Sequence, residues 1–226
     1  MKHKDINVLP QDDPRFPFLL KEIQSAPSEI YVLGEMPDEN VPKIAIVGTR
    51  KATAEGRSIA NQLAQSLSRA GAIIVSGLAM GIDTAAHEGA LAAKGRTIAV
   101  LGNGIDEIYP RQNENLAKKI LESNGAIISE YPPGTPSFPS QFLERNRIVS
   151  GLCLATIIVE APEKSGALVT ARLAAEQGRE VFVVPGPMSH PNYRGSHQLI
   201  RDGARLVASV EDILEDLGLK NPKSEI

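Results

Sequence analysis

The chain has a single cysteine, Cys153, in 226 residues, so no internal disulfide can form. A lone thiol inside an apolar run reads as a packed core residue in a reducing compartment. Tryptophan is absent, and the five phenylalanines and four tyrosines are nowhere interleaved with lysine or arginine, which leaves few stacking platforms for bases. No uninterrupted stretch of about 18 apolar residues exists, so no transmembrane helix is expected. No charged start leads into the apolar run of a secretory signal, and a cytoplasmic protein is the expectation. Neither sign of charge dominates: 24 Lys and Arg oppose 27 Asp and Glu, for a net charge of -3. Attraction to a polyanion therefore has to come from a local basic patch. His3, His87, His190 and His197 lack H-E-x-x-H spacing, so no metal is expected, and His87 four residues after Asp83 reads as a local helix contact.

What the sequence has is alternation. With 42% apolar and 23% charged residues it can bury a substantial core. Short β-branched runs recur at Ile44–Val47, Ala72–Val75, Thr97–Leu101, Ala126–Ser129, Ala155–Val159 and Glu180–Val184. None alternates with polar residues, which marks strands buried on both faces. Helical periodicity fills the intervals 53–71, 83–94, 113–123 and 165–177, each ending at or before a glycine. The expected class is α/β, a doubly wound, mostly parallel sheet with helices on both faces and right-handed crossovers. Residues 1–43 are expected to dock on that core as an N-terminal extension with a short helix near Phe18–Ile23 and a strand at Ile30–Leu33. The core runs over 44–218, the tail 219–226 is expected to be frayed, and the proline-rich Tyr131–Gln141 is expected to be a rigid loop.

In such a sheet ligands bind beyond the carboxyl ends of the strands. Those ends carry Gly48-Thr49-Arg50-Lys51, Ser76-Gly77 through Gly81, Gly102-Asn103-Gly104, Ser165-Gly166 and Pro185-Gly186. Glycine permits close backbone approach, and the helix starts that follow offer free N–H groups, so the edge reads as an anion-binding shelf. Glycine is also ordinary in any βα turn. The G-x-G-x-x-G and G-x-x-x-x-G-K-[ST] patterns are both missing, which disfavours NAD and a P-loop nucleotide, and no cofactor is expected. Arg50, Lys51, Arg111, Arg145, Arg147, Lys164 and Arg194 fall at the same edge, spaced for a chain of phosphates, although any one of them could be a solvated surface charge.

Ile46-Val47-Gly48-Thr49-Arg50, Ser76-Gly77-Leu78-Ala79-Met80-Gly81-Ile82-Asp83 through His87, and Gly102-Asn103-Gly104-Ile105-Asp106 through Tyr109-Pro110-Arg111 together resemble the DNA-processing protein A family, DprA or Smf. So do Arg145-Asn146-Arg147-Ile148, Glu160-Ala161, Ser165-Gly166 through Arg172, and Val184-Pro185-Gly186. The resemblance implies an extended Rossmann-like fold that binds single-stranded DNA, forms a homodimer and helps load a RecA-type recombinase during DNA recombination and natural transformation. It places the family's DNA-contacting arginine on Arg50 and a second basic contact on Arg111. Implied DNA or phosphate contacts are Gly48, Thr49, Arg50, Lys51, Ser76, Gly77, Gly81, Gly102, Asn103, Gly104, Arg111, Arg145, Asn146, Arg147, Lys164, Ser165 and Gly166, with no catalytic residue. Family members commonly carry a helical domain before the core and a winged-helix domain after it; neither is expected here. The alternatives are an enzyme of the related lysine-decarboxylase-like group that cleaves nucleoside monophosphates, and a module that holds a nucleotide without chemistry. The first needs a P-G-G-x-G-T-x-x-E loop, whereas this chain reads Glu163-Lys164-Ser165-Gly166-Ala167-Leu168-Val169-Thr170-Ala171-Arg172.

Overall fold

Lys43, Ile44, Ala45, Ile46 and Val47 are all buried, as a strand covered on both faces requires. Ile44 and Ile46 pack on one side of the sheet and Ala45 and Val47 on the other, following the twofold side-chain period of a strand. In the computed structural model, which describes residues 6–219, this strand is β3 (Lys43–Val47) in the interior of a nine-stranded sheet. The expected tail 219–226 lies outside the described residues apart from Leu219, which packs against the core.

The other strands are β1 (Ile6–Pro10), β2 (Glu29–Gly34), β4 (Ile73–Ser76), β5 (Thr97–Val100), β6 (Ala126–Ser129), β7 (Ala155–Ile158), β8 (Glu180–Val183) and β9 (Arg205–Leu206). Their order is β1-β2-β6-β5-β4-β3-β7-β8-β9. Pairing from β6 to β9 is parallel, while β2 and β1 add antiparallel at one edge. The fold is thus Rossmann-like α/β with a mixed sheet. Residues 6–34 of the extension contribute α1 (Phe18–Lys21) and the two edge strands, of which β1 carries too little apolar pattern to be read from sequence.

Helices α2 (Ala54–Arg69), α3 (Ile82–Ala92), α4 (Glu114–Glu122) and α9 (Val210–Asp216) pack on one face. The face lined by Ala45, Val75 and Val100 takes α1, α6 (Asn146–Gly151) and α7 (Gly166–Glu176). Thr53 starts α2 by accepting a hydrogen bond from the Gly56 amide, 2.9 Å. The proline loop ends sooner than expected, because Pro139 occupies the first position of α5 (Pro139–Glu144), where its missing N–H costs nothing. Helix α8 (Arg194–Arg201) completes the set.

His87 is fully buried on α3 and turns to Thr97 rather than to Asp83: Nδ1 lies 2.7 Å from Thr97 Oγ1. The Thr97 hydroxyl donates to the Ile74 carbonyl at 2.6 Å, so it can only accept from His87, which fixes the Nδ1–H tautomer. Nε2 is buried without a partner, and burial, aided by the Arg145 charge, pulls the imidazole pKa down to about 3. A folded pKa below the ordinary value of about 6.5 means that stability is complete above pH 6.5 and is lost as the pH falls toward 3. Urea unfolding is expected to show a loss of about 1.4 kcal/mol per pH unit below about pH 6 from this group. His87→Gln should remove that component of the slope; an unaltered slope would show that His87 titrates normally.

Candidate functional site

The chain lays down β3 to β6 in one direction and then crosses back to place β7 beside β3. Between β3 and β7 the flanking loops part, and this is where a doubly wound sheet opens a crevice. The turn after β3, Gly48-Thr49-Arg50-Lys51, is fixed from several sides. Thr49 N donates to the Glu160 carbonyl at 2.8 Å, Lys51 N to Thr49 Oγ1 at 3.2 Å, and Ile82 N to the Thr49 carbonyl at 3.3 Å. Gly81 has φ +87°, and a Cβ there would lie 2.4 Å from the Thr49 carbonyl oxygen, so only glycine lets the two loops meet.

Arg50 projects from this turn and is exposed, with Cζ 5.7 Å from the centroid of the Phe142 ring. Tyr109 completes the stack, its ring centroid 5.1 Å from that of Phe142 with the planes at 35°. On one side of this wall is a cleft of about 400 Å³ lined by Gly48, Thr49, Asn146, Lys164 and the N-terminus of α7. There Ser165 caps the helix by accepting from the Ala167 amide at 3.2 Å, and Gly166 is exposed. The positive end of an eleven-residue helix thus faces the cleft. On the other side is a cleft of about 530 Å³ lined by Met80, Tyr109, Arg111 and Gln112. Arg50, Gly77, Ala79, Phe142 and Arg145 line both.

Beneath the wall Asp83 accepts from Gly77 N at 3.1 Å and Ala79 N at 3.4 Å. Arg145 is only 4% exposed; its Nη1 donates to the carbonyls of Gly77, at 2.7 Å, and of Val100. Burial lowers the Arg145 pKa to about 10 against the opposing effect of the Asp83 carboxylate. Burial likewise raises the Asp83 carboxyl, with Arg145 and the two amides working against the rise.

The structure therefore brings Gly48, Thr49, Arg50, Gly77, Asn146, Lys164, Ser165 and Gly166 to one cleft and Arg111 to the next, with Lys51 exposed on the shared turn. Several of the expected side chains, in the clefts or beside them, are not free phosphate donors. Ser76 is buried and donates to the Ile46 carbonyl at 2.7 Å. Asn103 is buried and gives its amide to the carbonyls of Gly104, 3.1 Å, and Glu107, 2.7 Å. Gly102 and Gly104 are buried, and a Cβ on Gly102 would come within 2.9 Å of the Phe142 ring. Arg145 is committed to strand-end carbonyls, Asn146 gives its amide to the Gly166 carbonyl at 3.3 Å, and Arg147 pairs with Glu130. These side chains are spent on backbone carbonyls or on an opposite charge, a demand that spacing does not reveal.

Sequence reading placed Asp83, Tyr109 and Glu160 within family-like motifs but assigned none of them, nor Phe142, to the site. Glu160 is fully buried and accepts from Thr53 N at 3.1 Å, from the Thr53 hydroxyl, from Asn192 Nδ2 at 2.9 Å and from the Tyr193 hydroxyl at 3.3 Å. Burial acts to raise its pKa, yet these donors together hold it below the usual range. Asn192 also donates to the Lys51 carbonyl at 3.1 Å, tying the Arg50 turn to the loop before α8. Among the described residues no group of three or more His, Cys, Asp or Glu gathers where a metal could bind.

A family model described as DNA recombination-mediator protein A matches residues 7–218. The DNA processing protein DprA of Bacillus subtilis is 43% identical over 221 residues, 97% of this chain and 74% of that protein. Protein Smf of Escherichia coli is 43% identical over 211 residues, 93% of this chain and 56% of that protein. This chain thus spans between about half and three quarters of these relatives. The DNA processing protein A of Helicobacter pylori, whose structure reports a single-stranded DNA binding mode, superposes with a TM-score of 0.85 at 32% identity, over 96% of this chain and 98% of that one. The family model covers nearly the whole chain and these relatives match it closely, so the chain belongs to the DNA recombination-mediator protein A family.

Proposed function

We propose that this protein binds single-stranded DNA along the carboxyl edge of its sheet and acts in DNA recombination and natural transformation. The observation that carries the reading is Arg50, an exposed guanidinium on a clamped turn at the crevice, with Lys164 lining one flanking cleft and Arg111 the other. Cations in successive clefts follow a polyphosphate rather than one compact anion. The binding mode of the Helicobacter pylori relative supports it. We extend the proposal to a cytoplasmic homodimer that assists a RecA-type recombinase, which rests on family membership. Among the described residues no helix is long and apolar enough to cross a membrane.

A binding rather than a hydrolytic role fits the carboxylates after β7. Cleavage of a glycosidic bond needs a free carboxyl against the sugar or the attacking water. Glu160 is spent on internal donors, and Glu163 points to solvent with its carboxylate 3.9 Å from Arg194.

Gel shifts or anisotropy with single-stranded and duplex DNA at two salt concentrations test the proposal. Single strands should bind more tightly, and affinity should fall with salt by about 0.7 log unit per log unit for each phosphate neutralised. Arg111→Ala should make that slope shallower by about 0.7. Equal affinity for duplex, or no salt dependence, would refute the reading.

A further inference from the structure

We propose that Asn192 is a positioning residue for DNA binding: oriented by the buried Glu160 carboxylate, it holds the backbone of the turn after β3 so that Arg50 keeps its aim, and it acts through Arg50 rather than on the strand. This rests on the DNA-binding reading above. The side-chain amide of Asn192 offers two N–H groups and has an acceptor for each, Glu160 Oε2 at 2.9 Å and the Lys51 carbonyl at 3.1 Å. The Lys51 carbonyl lies one residue beyond Arg50, on the exposed side of the turn. Asn192 is itself anchored, because its backbone N–H donates to His190 Nδ1 at 3.2 Å and its neighbour Tyr193 is only 2% exposed.

Glu160 explains why the amide cannot turn away. It is fully buried just after β7, and its donors are all uncharged: Thr53 N at 3.1 Å, the Thr53 hydroxyl, Asn192 Nδ2 and the Tyr193 hydroxyl at 3.3 Å. A carboxylate buried among neutral partners costs more than an amide or an apolar side chain would in its place. What it supplies in return is two oxygens that only accept. Every group facing it has to turn a donor inward, so the Asn192 oxygen is kept out and the second N–H is left on Lys51. The Glu160 main chain holds the same turn, its carbonyl accepting from Thr49 N at 2.8 Å. Glu160 thus fixes residues 49 and 53 and Asn192 fixes residue 51, with Arg50 inside the frame. A guanidinium at the end of a long side chain moves further than the backbone that carries it, so loosening the Lys51 peptide spreads Arg50 over orientations that miss the phosphate path. Affinity then falls with the fraction of molecules that keep the aim.

The test is a double-mutant cycle read by fluorescence anisotropy with oligothymidylate of about 20 nucleotides, beside hydrogen exchange of the Lys51 and Thr53 amides followed by NMR. Asn192→Ala should weaken binding by about 3- to 10-fold, the worth of one hydrogen bond. It should also speed exchange at both amides and lower the melting temperature by no more than about 4 °C. In an Arg50→Ala background the same substitution should cost less than about 1.5-fold, because the side chain that it aims is gone. Glu160→Gln has one acceptor oxygen in place of two, so Thr53 or Asn192 loses its partner, and the loss should again vanish without Arg50. Equal losses with and without Arg50 would make Asn192 a general support or a direct DNA contact and overturn the proposal. Unaltered affinity or unaltered exchange in Asn192→Ala would overturn it too while leaving the DNA-binding reading standing, whereas wild-type protein that binds no single strand would overturn both.

Discussion

Replacing Arg50 by alanine is expected to weaken binding of single-stranded DNA by about 10- to 150-fold while leaving the melting temperature unchanged. A hydrogen bond from a charged group to phosphate contributes roughly 1.5–3 kcal/mol, and each 1.4 kcal/mol is about a factor of ten. The fold should not register the change. Arg50 is exposed, and the turn beneath it is held by backbone bonds from Thr49 and Ile82 and by Asn192 on the Lys51 carbonyl. Arg50→Lys should recover only part of the affinity, because an ammonium cannot present the planar fork that grips two phosphate oxygens and lies over Phe142. Titration of labelled thymidylate at fixed salt, beside thermal melts, checks both halves. Unaltered affinity with an unaltered melt would show that the turn is purely structural.

The largest effect on stability is expected at Arg145. Arg145→Met removes the donor to the Gly77 and Val100 carbonyls and takes from the buried Asp83 carboxylate the cation that most favours its charge. Two orphaned acceptors and an uncompensated charge cost about 3–5 kcal/mol. In a chain of this size that lowers the melting temperature by roughly 6–20 °C. A second substitution, Asp83→Asn, should return part of the loss by removing the charge, so the two changes should be strongly non-additive. The family pattern reads this arginine as one of a basic cluster at the DNA edge; its burial makes it a brace for the loops that carry Arg50 and Tyr109. Differential scanning calorimetry on the single and double variants decides it. A normal melt combined with weakened DNA binding would return Arg145 to the role of a phosphate ligand.

Much of this molecule is determined locally. Buried strands need unbroken β-branched runs, helices need their fourfold apolar spacing, and tight turns need glycine, so the alternation of β3 to β8 with α2, α3, α4 and α7 is written in the chain. Arg50 belongs to that legible part, because a cation between Gly48 and the N-cap of α2 at the end of a buried strand has almost nowhere to point but the ligand edge. Strand order is not legible. A strand that is apolar on both faces pairs equally well with any similar neighbour, and only loop closure and the packing of whole layers place β7 against β3 and open the crevice there. The same holds for β1, whose exposed positions leave too few apolar residues to show a period, and which becomes a strand because β2 pairs with it. The inward turn of Arg145, Asn103 and Ser76 was decided by carbonyls that tertiary packing had cut off from water. Tyr109 lies in the loop after β5 and Phe142 in α5, with no spacing to relate them, and they became one wall only when the two segments were folded to the same edge.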